Sequence, residues 1–172
     1  MKPILETPRL ALREMSLDAL DFVAAMLAHP EVMRYYPRLY SREEARGWIE
    51  RQLDRYVRDG HGLWLVEDRA TGEPVGQVGL VQQLIDGVEE PEIGYLIHRP
   101  FWRQGLASEA ALGVRTWAFD ILGVERVISL IRPENLPSQG VARKLGMAPG
   151  KRVQFHELEH IVFAVRRSPT PA

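Results

Sequence analysis

The apolar positions of this chain repeat every second residue in some stretches and with helical spacing in others, and the changes of period mark out its elements. Leu10 and Leu12 share one face of 9–13, which predicts a short strand. Ser16 stands where it would cap a helix running to about Ala28, with His29-Pro30 as the stop. Ser41-Arg42-Glu43-Glu44 reads as a capping box, and Ala45, Trp48, Ile49, Leu53 and Tyr56 form the apolar stripe of a second helix that Asp59-Gly60 ends. Leu63–Val66 and Val75–Val81, joined through Thr71-Gly72, predict a hairpin, and Ile93, Tyr95 and Ile97 alternate in a further strand. A helix is expected over 105–122, an apolar central strand over 127–131, and a helix from about Pro137 that Gly146 ends. Val153-Gln154-Phe155 and Ile161-Val162-Phe163 read as two last strands. The order β-α-α-β-β-β-α-β-α-β-β predicts an α/β (α+β) fold of about seven strands and four helices, unlike a regularly alternating βαβ protein.

At 172 residues the chain has the size of one domain, able to bury roughly 70% of its unfolded surface. We read a single domain over 1–167 and a flexible tail over 168–172. The net charge of -1 offers nothing to nucleic acid or an anionic membrane, so recognition must be local. There is no cysteine, which excludes disulfides, thiolate nucleophiles and Cys-ligated zinc. Lys2-Pro3-Ile4-Leu5-Glu6 reaches an acid before any apolar leader forms, and no apolar run approaches the ~20 residues of a membrane span. A cytoplasmic protein is the expectation.

Chemistry concentrates in Trp102-Arg103-Gln104-Gly105-Leu106-Ala107-Ser108, which follows a strand and opens a helix. Unpaired backbone N–H groups and the helix dipole converge there, suiting an anion such as a pyrophosphate. Gly105 would let the backbone approach, and Arg103 could add charge. A Gly near a helix start also serves as a plain structural cap. The Gly-Lys-Ser/Thr of a nucleotide-triphosphate loop and the repeated glycines of a dinucleotide fingerprint are both missing.

Glu92-Ile93-Gly94-Tyr95-Leu96-Ile97 through Ser108-Glu109-Ala110 resembles the acetyl-CoA motif of the GNAT superfamily of N-acetyltransferases, most of all the branch that acetylates ribosomal-protein N-termini. Thr7-Pro8-Arg9-Leu10-Ala11-Leu12-Arg13, Pro30-Glu31-Val32-Met33-Arg34-Tyr35, Asn135-Leu136-Pro137-Ser138 and Lys144-Leu145-Gly146-Met147 extend the resemblance along nearly the whole chain. It implies a twisted, mostly antiparallel mixed sheet whose fourth and fifth strands splay. The pantetheine of acetyl-CoA would lie in that V and pair near Ile97, the pyrophosphate would rest on the amides of Arg103, Gln104, Gly105, Leu106, Ala107 and Ser108, and Asn135 would touch the pantetheine. The family's general-acid tyrosine falls at Ala142, which leaves Ser138 as the candidate acid.

Attack on a thioester needs a neutral amine, whereas amines near neutral pH are protonated. Glu92 is the candidate base, sharing a strand face with Gly94, Leu96 and His98; a surface ion pair is its alternative role, and His98 is a weaker base candidate. Tyr35 and Tyr36 are candidates for the acceptor side or for loop packing. The expected activity is acetyl transfer from acetyl-CoA to an amine, a small molecule or a protein N-terminus, by direct attack in a ternary complex, with no metal, in a monomer or homodimer. Two alternatives have other chemistry: a non-catalytic acyl-CoA sensor, and a zinc hydrolase using His156-Glu157-Leu158-Glu159-His160. The latter needs a helix to aim both imidazoles at one metal, and here the motif lies between two predicted strands.

Overall fold

The computed structural model describes residues 2–169. Its strands are β1 (Leu5–Glu6), β2 (Leu10–Arg13), β3 (Leu63–Asp68), β4 (Pro74–Ile85), β5 (Val88–Ile97), β6 (Arg126–Ile131), β7 (Ala148–Phe155) and β8 (Leu158–Arg166). The helices are α1 (Leu20–Leu27), α2 (Arg42–Asp59), α3 (Leu106–Trp117) and α4 (Leu136–Lys144). The eight strands form one sheet in the order β1-β2-β3-β4-β5-β6-β8-β7. Eight rather than seven arises because the two-residue β1 pairs with β2, which sequence reading missed, so the splayed pair is β5 and β6 in this count. Residues 170–172 of the expected tail lie outside the described residues.

Local chemistry explains most boundaries. The Ser41 and Glu44 capping box opens α2, and Gly60, at φ 81°, closes it in the left-handed region. The buried stripe of α2 differs from the expected one at three positions, with Trp48 and Leu53 only partly buried. Gln52 is buried where Trp48 and Leu53 were expected, because its Oε1 accepts the Leu63 N–H at 3.0 Å and so fixes β3 to the helix. Ser16 does not cap α1: its hydroxyl bonds Asp18 instead, and a 3₁₀ turn over Leu17–Ala19 precedes a helix that starts only at Leu20. The helix expected over 105–122 is α-helical to Trp117 and then widens into a π-turn over Ala118–Leu122. Asp86 and Gly87, at φ 50° and 80°, make the tight β4–β5 turn.

Helices cover both faces of the sheet. Leu10, Trp64, Val78, Leu80, Ile93, Val114 and Phe163 belong to the cluster beneath α3 and α4, whereas Met15, Val23, Met26, Ile49, Leu65 and Val81 form the one beneath α1 and α2. Ile93, Tyr95 and Ile97 pack on the first side. By strand alternation Glu92, Gly94 and Leu96 face the second.

Candidate active site

β5 and β6 run parallel but meet at a single rung, Glu92 opposite Ile128. Beyond it they part, and three side chains bridge the gap. Glu92 Oε2 accepts the Leu130 N–H at 3.0 Å, the buried Ser129 hydroxyl donates to the Ile93 carbonyl at 2.7 Å, and the Tyr95 phenol donates to the Ser138 carbonyl at 2.7 Å.

The backbone edge along this gap follows from the β4–β5 register. His98 N–H donates to Val75 O at 2.9 Å, and bonded pairs alternate along an antiparallel ladder, so the main-chain groups of Ile93, Tyr95 and Ile97 point away from β4 toward the gap. The Ile97 carbonyl is already taken, accepting the Trp102 indole N–H at 2.7 Å. An extended ligand pairing with β5 therefore has the Ile97 N–H and both main-chain groups of Tyr95. Sequence reading singled out Ile97 and missed the indole that takes half of its bonding capacity.

At the far end of β5 the chain turns into α3. Arg103 and Gly105 adopt φ of 63° and 75°, and Gly105 caps α3 without any side chain bonding the first amides. In α2 and α4 that role is filled by Ser41 and by Asn135, whose Oδ1 accepts the Ser138 N–H at 3.2 Å. The N-terminal amides of α3 are thus open to an anion. Arg103, Gln104 and Gly105 are exposed, whereas the Leu106 side chain turns into the core, so only its amide faces outward. A Cβ on Gly105 would have Arg9 Nη2 as its nearest neighbour, at 3.6 Å. This position needs glycine for its backbone angle more than for space.

Arg9 holds the turn from behind. Its Nε donates to Glu109 Oε2 at 2.7 Å, its Nη1 to the Gln104 carbonyl at 2.9 Å, and Thr7 Oγ1 donates to Glu109 Oε1 at 2.7 Å. Burial would raise the Glu109 carboxyl, but the Thr7 and Arg9 donors outweigh it and hold the group below its ordinary value.

Glu92 behaves oppositely. Burial raises its carboxyl above the ordinary value, against the lowering effect of Gln83 Nε2, which donates to Oε1 at 2.9 Å, and of the Leu130 N–H. Tyr36, on the loop before α2, is 37% exposed, yet its hydroxyl end is packed closely enough that burial, and then the Glu92 charge, push its phenol up. The Tyr35 carbonyl accepts Arg132 Nη1 at 3.4 Å, and the Tyr35 ring carries the Arg34 guanidinium. His98 is not near this group: six residues further along β5, about 20 Å away, its ring packs edge-on against Phe22 and His29. Ser138 lies across the gap on the first turn of α4, and Ala142 is fully buried.

The zinc motif lacks its helix. His156 and Glu157, at φ 49° and 64°, are the tight turn between β7 and β8, and His160 lies within β8. The imidazoles therefore project from a turn and a strand, not from successive turns of one helix face.

A splayed parallel pair followed by a strand-to-helix turn with open amides can take an extended ligand with an anionic end. The family model for the acetyltransferase (GNAT) domain matches residues 9–148. The chain belongs to the GNAT acetyltransferases. It is 33% identical over 148 residues, 85% of this chain and 83% of the relative, to the uncharacterized N-acetyltransferase YoaA of Bacillus subtilis. An acetyltransferase structure from Agrobacterium tumefaciens superposes with a TM-score of 0.84 at 27% identity, covering 95% of this chain and 94% of that one. A ribosomal α-N-protein acetyltransferase solved with coenzyme A shares the fold alone, with a TM-score of 0.79 at 18% identity over 95% and 97% of the two chains. This GNAT chain is therefore an N-acetyltransferase, and acetyl-CoA is the cosubstrate of its family. Among the described residues no helix is long and apolar enough to cross a membrane.

Proposed function

We propose that this GNAT enzyme moves an acetyl group from acetyl-CoA to a primary amine by direct attack in a ternary complex, with Glu92 as base and Ser138 as acid. The acceptor class is a small-molecule amine or a protein N-terminus, and the cytoplasm is the proposed compartment. The observation that carries the reading is the placement of Glu92 and Ser138 on opposite sides of the gap between β5 and β6. Acetyl-CoA supplies the activated acetyl group. The chain's own part is to position the reactants and move two protons.

The amides of Arg103 to Ser108 and the dipole of α3 hold the phosphates, and the free edge of β5 at Tyr95 and Ile97 orients the pantetheine as an added strand would lie. Asn135, through its amide nitrogen, is the proposed contact from α4. Glu92, with its carboxyl raised by burial, takes the proton from the amine nitrogen directly or through one water. As the new C–N bond forms and the C–S bond breaks, Ser138 gives its hydroxyl proton to the sulfur and recovers one from solvent. Exclusion of water beside Glu92 falls to Tyr36.

A pH–rate profile with one good acceptor tests the assignment. The raised Glu92 carboxyl loses its basic form as pH falls, so kcat declines on the acid side. Glu92→Gln should lower kcat about 10²-fold or more, most severely at low pH where the amine is fully protonated. Ser138→Ala should cost less, since a CoA thiolate leaves tolerably well near neutral pH. Full kcat across the profile in Glu92→Gln would return Glu92 to a structural role.

A further inference from the structure

The parting of β5 and β6 has a specific chemical cause. In an unbroken parallel ladder, the rung after Glu92–Ile128 would run from the Leu130 N–H to the Ile93 carbonyl. Here both groups are diverted to side chains: the Leu130 N–H goes to Glu92 Oε2 at 3.0 Å, and the Ile93 carbonyl takes the Ser129 hydroxyl at 2.7 Å. The two side chains lie on opposite faces, Glu92 toward α1 and α2, Ser129 among the residues beneath α3 and α4. Ser129 is 2% exposed, in the otherwise apolar run 127–131, and its hydroxyl also lies within hydrogen-bonding reach of the Tyr95 phenol, where it lowers that group against the upward push of burial.

We infer that Ser129 is a positioning residue: by occupying the Ile93 carbonyl it keeps Leu130 bound to the Glu92 carboxylate, and this exchanged pair fixes both the point where the slot opens and the aim of Glu92. This rests on the reading of Glu92 as base. Without the Ser129 hydroxyl, the Ile93 carbonyl is a buried acceptor that lacks a partner, and the Leu130 N–H is the donor nearest to satisfying it. The ladder then closes by one rung. The slot shortens at the end where the acetyl group sits, and one oxygen of Glu92 loses its anchor.

The groups facing Glu92 do not obscure its titration. They are Gln83 from β4, Arg55 from α2 and Tyr36 from the loop before α2, and Tyr95, on the opposite face of its own strand, also feels the Glu92 charge. Both phenols are pushed up and stay neutral, and an arginine stays charged.

The first measurement needs no ligand. In ¹⁵N-labelled wild-type protein the Leu130 amide shift should follow the titration of the Glu92 carboxyl, because it donates to that carboxylate. In Ser129→Ala the Leu130 amide should stop following it, acetyl-CoA should bind about tenfold more weakly, as for one net hydrogen bond lost, and the acid limb of kcat should move. Ser129→Thr, which keeps the hydroxyl, should restore the Leu130 titration and the acid limb. A wild-type Leu130 amide that stays flat while Glu92 titrates overturns the inference, even if Ser129→Ala does not fold. So does a folded Ser129→Ala with wild-type acetyl-CoA affinity and a Leu130 amide that still titrates. Failure of wild type to turn over acetyl-CoA would instead overturn the acetyl-transfer reading and leave the Leu130 result standing.

Discussion

Replacing Gly105 with glutamate separates backbone strain from charge at the start of α3. At φ 75° any L-residue is strained by about 1–2 kcal/mol, and this applies equally to Ala and Glu. Steric cost adds little, because a Cβ there meets only Arg9 Nη2 at 3.6 Å. Gly105→Ala is therefore the control for strain, and what Gly105→Glu adds is charge. A carboxylate roughly 6 Å from the pyrophosphate at an effective dielectric of about 40 opposes each unit charge by ~1.4 kcal/mol, so two charges give ~3 kcal/mol. Arg9 can pair with the new carboxylate and offset part of this, which leaves a 10- to 100-fold loss of acetyl-CoA affinity. In calorimetry the Ala variant should bind within a few-fold of wild type and the Glu variant far more weakly. In thermal shifts, ligand at about 100 times its Kd stabilises wild type by ~2.7 kcal/mol, or about 5–10 °C for a chain of this size. A 100-fold weaker variant retains only about 1 °C. Equal acetyl-CoA affinity in the Glu and Ala variants would refute the placement of phosphate on these amides.

Glu109→Gln should destabilise the fold by about 1–2 kcal/mol at neutral pH, an amount kept modest because the Arg9 side chain is 50% exposed. Since the native Glu109 carboxyl is held low, that stability is present above the unfolded value of about 4.3 and is lost as pH falls through the native one, so urea melts of the two proteins should converge on acidification; divergence would show that Glu109 is not the charged member of the clasp. His156→Ala with His160→Ala should leave acetyl transfer intact with or without EDTA, and peptidase activity that depends on a stoichiometric zinc would reverse this.

Where a local pattern decides structure, the sequence was readable. Ser41 and Glu44 are three residues apart, and the capping box they predict is the one that forms. The turn at His156 separates two short apolar alternations, and that was enough to reject a helix for a motif that matches a zinc site letter for letter. Glu92 was placed on its face by alternation alone. Misreadings came from competition between neighbours: Ser16 had the right type and place for a cap, but Asp18 captured its hydroxyl.

The unread features share a different cause. The clasp of Arg9 on Glu109 spans 100 residues and the bond from Ser129 to Ile93 spans 36, so no window of sequence contains both partners. A trace of each was nevertheless present. Glu109 in a first turn invites assignment to the helix dipole, an explanation sufficient to hide its true partners. Ser129 is more telling. A lone hydroxyl in Arg-Val-Ile-Ser-Leu-Ile, a strand apolar enough to be central, cannot be left unpaired in a core and must find an acceptor on a neighbouring element. That acceptor is the Ile93 carbonyl of β5, just past the single rung at which the two strands meet. The splay itself was expected from the family resemblance; what a buried hydroxyl adds, for a reader who asks where it finds its acceptor, is the point along β5 at which the strands part.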